Sequence, residues 1–251
     1  MGEIREKAGE AVKQYLLRNG FASFRPKAVL FDMDGVLFDS MPGHANSWAQ
    51  VCTEFGLKME AEEAYMHEGR TGVSTINILA QRYWGRDATE EECNRIYAEK
   101  CRLFNALPEA PKMPGADALL AQVQQAGLTI AVVTGSGQKS LLDRLHHNYP
   151  GVFDPSLVVS SKDVRHGKPS PEPYLAGLER VGVQPWEAIV VENAPLGVQA
   201  GVAARVFTVA LNTGPLQPSA LTDSGADLLF PSMQAFSDAW AELGLAAGAD
   251  L

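Results

Sequence analysis

Apolar residues along this chain fall into two kinds of run that alternate. Short runs at Ala28 to Phe31, Leu128 to Val133, Leu157 to Ser160, Ala188 to Val191 and Val206 to Ala210 have the length and Val/Ile content of strands buried on both faces. A weaker one lies at Leu228-Leu229-Phe230. Between and after them, Ala116 to Ala126 (stopped by Gly127), Lys139 to Asn148, Pro171 to Val181, Leu196 to Ala204 and Met233 to Leu243 carry apolar residues at helical spacing. Strand and helix in alternation predict an α/β fold, a parallel sheet with helices on both faces.

The alternation is broken once. After Ser40 the pattern stays helical: Pro42 to Phe55 ended by Gly56, then, beyond a polar link, Ser74 to Tyr83 and Thr89 to Phe104. The link leads into His67-Glu68-Gly69-Arg70-Thr71-Gly72, a loop with two glycines. Thr89 and Glu92 have capping-box spacing. Cys93, Tyr97, Cys101 and Phe104 form an apolar stripe, a better account of both cysteines than reactivity. Pro108, Pro111 and Pro114 then punctuate the chain as a hinge does. Residues 42–108 are therefore expected to be a separate helical cap, inserted in a core made of 26–41 and 109–251. Ahead of both, Ile4, Ala8, Val12, Tyr15 and Leu16 predict a helix stopped by Asn19-Gly20. It is expected to be appended to the core over residues 1–25, against the domain or a second subunit. Val12, Tyr15 and Leu16 would then be a pairing surface, in a monomer or weak homodimer.

At 251 residues the chain can bury one large core, or one core with a small satellite. A net charge of −9 argues against nucleic acid or an anionic membrane as partner, since both reward a basic surface. An anionic substrate would need a locally placed cation. Cys52, Cys93 and Cys101 include no CxxC pair and suggest neither a disulfide framework nor a zinc site. The opening residues are too polar for a signal peptide, and no apolar run approaches a membrane span. A soluble, cytoplasmic enzyme is the expectation.

The candidate chemistry lies where strands end. Asp32 and Asp34 follow the first strand with i, i+2 spacing, so their carboxylates project together, and Gly35 allows a sharp turn and close approach of a ligand. Such a pair can hold a hard cation, or attack phosphorus with one member while the other moves a proton. Two aspartates can also simply cap a turn. Thr134-Gly135-Ser136, before a helix, can cradle a phosphate with hydroxyls and N–H groups, or serve only as an N-cap and turn. Lys168 precedes a helix, where the dipole offers a cation nothing, so it faces an anion or stands in solvent. Glu192 ends an unbroken apolar strand, where a carboxylate needs a cation.

Taken in order, Asp32-x-Asp34-Gly35, Thr134-Gly135-Ser136, Lys168-Pro169 and Glu192-Asn193 resemble the four-motif set of the haloacid dehalogenase (HAD) superfamily. The helical insert after the first motif is similar to that family's small cap, and the likeness is strongest to the β-phosphoglucomutase-like branch of phosphatases and phosphomutases. It covers about residues 27–240 and leaves the N-terminal helix outside. The resemblance implies a Rossmann-like, doubly wound core, with Asp32 as the nucleophile that takes the phosphoryl group as an aspartyl phosphate. It makes Asp34 the acid and base that serves leaving and attacking oxygens. Gly35, Thr134, Gly135, Ser136 and Lys168 would line the phosphoryl group. Asp32, the Asp34 carbonyl, Glu192 and Asn193 would hold Mg²⁺. Related chains usually place an aspartate where Asn193 stands.

In the cap, His44 and Lys100 fall where β-phosphoglucomutases carry a histidine and a lysine. The arginine that follows their Gly-Val-Ser is replaced here by Thr75, after Gly72-Val73-Ser74. Arg70, five residues earlier, is placed to supply the missing cation. A mutase must hold a bisphosphate by its distal phosphate, so the replacement favours a Mg²⁺-dependent phosphatase of a small sugar phosphate or similar metabolite. A β-phosphoglucomutase-type phosphomutase is the alternative. A non-catalytic binding role is hard to reconcile with Asp32, Asp34, Lys168 and Glu192 all present.

Overall fold

The computed structural model describes residues 2–137 and 141–251. The chain opens with α1 (Gly2–Asn19), β1 (Ser23–Phe24) and β2 (Ala28–Phe31), followed by α2 (Met41–Glu54), α3 (Ala61–Met66), α4 (Gly72–Trp84) and α5 (Glu90–Asn105). Then come α6 (Ala116–Gln125), β3 (Thr129–Val133), α7 (Leu141–Asn148), β4 (Val158–Val159) and α8 (Glu172–Val181). β5 (Ala188–Glu192), α9 (Pro195–Ala203), β6 (Phe207–Leu211), α10 (Pro218–Thr222), β7 (Leu228–Phe230), α11 (Met233–Leu243) and β8 (Ala249–Asp250) complete it. The expected helix start at Lys139 lies outside the described residues.

Six strands form one parallel sheet in the order β4-β3-β2-β5-β6-β7. Successive residues of β2 face opposite ways, and both faces are covered: Val29 and Phe31 enter one apolar cluster, Ala28 and Leu30 the other. This is why the run carries no polar alternation. From β2 the chain builds β3 and β4 on one side, then crosses to β5, β6 and β7 on the other. The crevice beyond the carboxyl end of β2 therefore lies at the switch point where open α/β sheets bind ligands.

Helices α2 to α5 close over an apolar cluster of their own, including Val51, Cys52, Ile76, Leu79 and Ile96. The Thr89–Glu92 capping box is formed, and its α5 buries Cys93, Ile96, Lys100 and Leu103. The segments entering and leaving this helical block lie side by side: Asp39 N–H donates to the Pro111 carbonyl at 2.9 Å, and Met113 N–H to that of Leu37 at 2.9 Å.

Four local features differ from the pattern-based expectation. Part of the polar link forms α3, whose six residues are too few to show a period. α4 starts at Gly72, with the Thr71 hydroxyl capping Ser74 N–H, so the loop is shorter than expected. The chain ends meet in a two-stranded antiparallel pair, β1 with β8, too short to show alternation. And α1 is no pairing surface: Ala8, Val12, Tyr15 and Leu16 are buried in the main core, with Tyr15 packed edge-on to Phe24 and Phe207. No helix among the described residues is long and apolar enough to cross a membrane.

Candidate active site

Asp32 extends β2 by one ladder bond, its N–H donating to the Val191 carbonyl at 2.9 Å. Gly35 takes φ +80°, and a Cβ there would stand 2.0 Å from Asn193 Nδ2, so both the turn and the close approach require glycine. Thr134 leaves β3, and its Oγ1 accepts from Ser136 N–H at 3.0 Å. Gly135 lies under the loop of residues 67–72, where a Cβ would meet the Gly69 carbonyl oxygen at 3.0 Å.

Lys168 is not a surface lysine; it is 2% exposed. Its Nζ donates to Asp32 Oδ1, to Glu192 Oε1 at 2.5 Å and to the Val133 carbonyl at 3.1 Å. One ammonium thus joins the ends of β2, β3 and β5. Burial works against that charge, but Asp32 and Glu192 outweigh it and hold the lysine protonated. Burial likewise pushes the Asp32 carboxyl up, against the pull of Lys168. Beneath them the Tyr174 hydroxyl donates to Glu192 Oε1 at 2.6 Å, and burial with that carboxylate keeps the phenol un-ionised.

Asp34 lies in a different field. Its Oδ1 accepts from Ser40 Oγ at 2.6 Å and lies 3.3 Å from His44 Nε2 and 3.9 Å from Arg144 Nη1. Burial would raise this carboxyl, but His44, Ser40 and Arg144 together hold it well below the usual range. Lys100 Nζ, a donor only, is 2.6 Å from His44 Nδ1. That nitrogen must accept, so Nε2 carries the hydrogen toward Asp34. Burial and the Lys100 charge hold His44 neutral, and burial draws Lys100 down to about 8. His44 also stacks on Phe104 with ring centroids 4.0 Å apart.

The loop of residues 67–72 covers the crevice and leaves a cavity of ≈ 80 Å³ between Asp32, Asp34, Thr134, Ser136, Arg70 and Lys100. Arg70 reaches Ser74 Oγ at 3.5 Å, and its buried Nε has no partner. Thr75 is buried along the cavity wall, and Gly72 makes room for the Tyr97 ring, 2.3 Å from where a Cβ would be. Gly69 packs on Lys168, whose Cδ would lie 2.8 Å from a Cβ there.

Sequence reasoning did not single out Glu68, Ser40, Tyr174 or Arg144. Glu68 sits in the glycine-bearing loop, and its Oε2 accepts from Asn193 Nδ2 at 3.0 Å. Burial, then the charges of Asp32 and Glu192, raise its carboxyl well above the usual value. An acidic residue directly before a loop glycine, Glu68-Gly69, was a readable signal; the other three carry none in the sequence.

Among the described residues no three His, Cys, Asp or Glu side chains are grouped to hold a metal ion. A mixed set of oxygens is nonetheless at hand. Asn193 Oδ1 and Glu68 Oε1 are shut off from solvent without partners. They stand beside Asp32, Asp34 and Glu192, with Lys168 the ammonium that binds two of these carboxylates. Excess buried negative charge with orphaned oxygens fits a divalent cation.

A family model for haloacid dehalogenase-like hydrolases matches residues 29–211, and the chain belongs to that family. It is 34% identical over 189 residues to hexitol phosphatase A of Escherichia coli, covering 75% of this chain and 84% of that one. It is 33% identical over 209 residues to a phosphorylated carbohydrates phosphatase of Thermotoga maritima, covering 80% and 92%. The solved structure "Putative beta-phosphoglucomutase from Bacteroides vulgatus" superposes with a TM-score of 0.93 at 55% identity, covering 96% of this chain and 98% of the other.

Proposed function

We propose that this protein is a Mg²⁺-dependent phosphatase that hydrolyses a small sugar phosphate or similar metabolite through an aspartyl phosphate on Asp32. The observation that carries the reading is Lys168 bridging Asp32 and Glu192 at the ends of adjacent strands, with Asp34 two residues on facing the same cavity. The relatives named as carbohydrate phosphatases support it.

Asp32 attacks phosphorus while Lys168 offsets the charge brought together, and Thr134, Ser136 and the N–H groups around Gly135 receive the phosphoryl oxygens. Asp34 is ionised in the resting site. A phosphate dianion arriving beside it raises its proton affinity, so Asp34 takes up a proton from solvent and passes it to the leaving oxygen. In the second step Asp34 takes a proton from the attacking water. Asp32, Glu192, the Asp34 carbonyl, Asn193 Oδ1 and Glu68 would hold the metal. Bound Mg²⁺ would supply neutralisation of the phosphate charge.

A phosphomutase built on the same chemistry is the second reading, favoured by the Bacteroides vulgatus likeness. Buried Thr75 offers a distal phosphate no charge, whereas Arg70 faces the cavity with an unpartnered Nε. The deciding experiment is a panel of phosphorylated metabolites with Mg²⁺, from sugar phosphates to small phosphoanhydrides, scored for free phosphate and isomerised product. β-Glucose 1-phosphate with a trace of the 1,6-bisphosphate belongs in it. Free phosphate without isomerisation is expected, and isomerised product as the main outcome would establish the mutase. Arg70→Ala should lower kcat/KM about tenfold or more for substrates with a second anionic group, the loss of a charge-assisted contact, and much less for p-nitrophenyl phosphate. Equal losses would mean structural damage.

Asn193→Asp tests the metal set. The substitution adds a negative ligand and sets it against Glu68, where an amide now donates at 3.0 Å. Apparent Mg²⁺ affinity should tighten several-fold, on the order of 1 kcal/mol, with a higher KM as repulsion of the phosphate grows. Mg²⁺ titrations of thermal stability and of activity measure it. An unchanged metal dependence would place Asn193 outside the ligand set.

A further inference from the structure

Arg144, on α7, has no assigned part in the reaction, yet it is built onto the turn that carries Asp34. Its guanidinium carbon lies 3.8 Å from the centroid of the Phe38 ring, face-on. Phe38 closes that turn, its carbonyl accepting from Gly35 N–H at 2.7 Å. Nη1 lies 3.9 Å from Asp34 Oδ1, and the side chain is only 15% exposed. Nε and Nη2 are buried with no partner. The nearby Glu109 is engaged elsewhere, by Asn148 Nδ2 at 2.9 Å. A methionine or leucine would cover Phe38 without stranding two donors, so packing alone does not account for an arginine here.

Among the described residues, the groups gathered around Asp34 converge on one oxygen: Ser40 Oγ donates to Oδ1 at 2.6 Å, His44 Nε2 lies 3.3 Å from it, and Arg144 Nη1 faces it at the ion-pair distance of 3.9 Å. Arg144 approaches it from behind, since it lines the groove beside residues 104–110 and not the cavity that Asp34 faces. We propose that Arg144 is a positioning residue that, with Ser40 and His44, pins Oδ1 of Asp34 so that Oδ2 is the oxygen presented to the leaving group. The inference rests on the phosphatase reading above. As the bond from Asp32 to phosphorus forms, the ester P–O bond breaks, and the leaving oxygen takes its proton from Oδ2.

The test compares Arg144→Met, Arg144→Lys and Asp34→Asn on an alkyl phosphate, whose leaving oxygen needs a proton, and on p-nitrophenyl phosphate, which needs almost none. The ratio of kcat/KM values reports the first chemical step. Arg144→Met should lower kcat/KM for the alkyl ester about tenfold or more and that for p-nitrophenyl phosphate by less than about threefold. Arg144→Lys should recover part of the loss. Equal losses on both substrates, or none on the alkyl ester, would overturn the proposal. Should Asp34→Asn itself discriminate no more than the wild type, the acid role fails and this inference with it. Discrimination by Asp34→Asn but not by either Arg144 variant sinks this inference alone. Melting temperatures identify a variant that is merely damaged, and Arg144→Lys then carries the comparison.

Discussion

Asp32→Asn is expected to abolish turnover and leave the fold intact. The substitution keeps the shape of the side chain but removes the nucleophilic oxygen, a loss on the order of 10⁴-fold or more in rate. Stability should not suffer, because burial already disfavours the Asp32 anion and Lys168 keeps Glu192 and the Val133 carbonyl as partners. Two measurements check this: activity of a clean Asp32→Asn preparation, and a crystal of the wild type treated with beryllium fluoride, in which the trapped group should sit on Asp32. Appreciable turnover by the variant would remove the covalent mechanism altogether.

Asp34→Asn comes second in expected size, a loss of roughly two to four powers of ten in the chemical step. The amide oxygen can still accept from Ser40 and His44, so the turn should hold, but no proton can be passed. The loss should be largest for poor leaving groups. Mg²⁺ affinity, read by thermal shift, should barely move, because the proposed contribution of this residue is its backbone carbonyl. A change confined to KM would mean that Asp34 binds substrate and carries no proton.

The central strands were legible because a strand covered on both faces writes an unbroken apolar run, as Val29 to Phe31 and Ile189 to Val191 do. Helical stretches were legible for the same local reason, and α5 announced its start with Thr89 and Glu92. α3 and β8 were not, since a few residues hold no period. Lys100 is 3% exposed, a burial no spacing on α5 announced, with its Nζ taken up by His44 and 4.9 Å from the Phe104 ring.

By itself, then, the sequence determined the parallel α/β core, the run of helices between β2 and β3 and the polar residues at the strand ends, all of which follow from spacing along one stretch of chain. What the apolar face of α1 packs against, the main core and not a second copy of α1, and that Glu68 meets Asn193 from 125 positions away, were decided only by the tertiary structure. So were Tyr174 beneath Glu192 and Arg144 behind Asp34. Each of these contacts joins elements whose separation is set by how α1, α7, α8 and the helical block seat on the sheet. Such seating depends on the summed packing of many side chains, and no local pattern of residues encodes it.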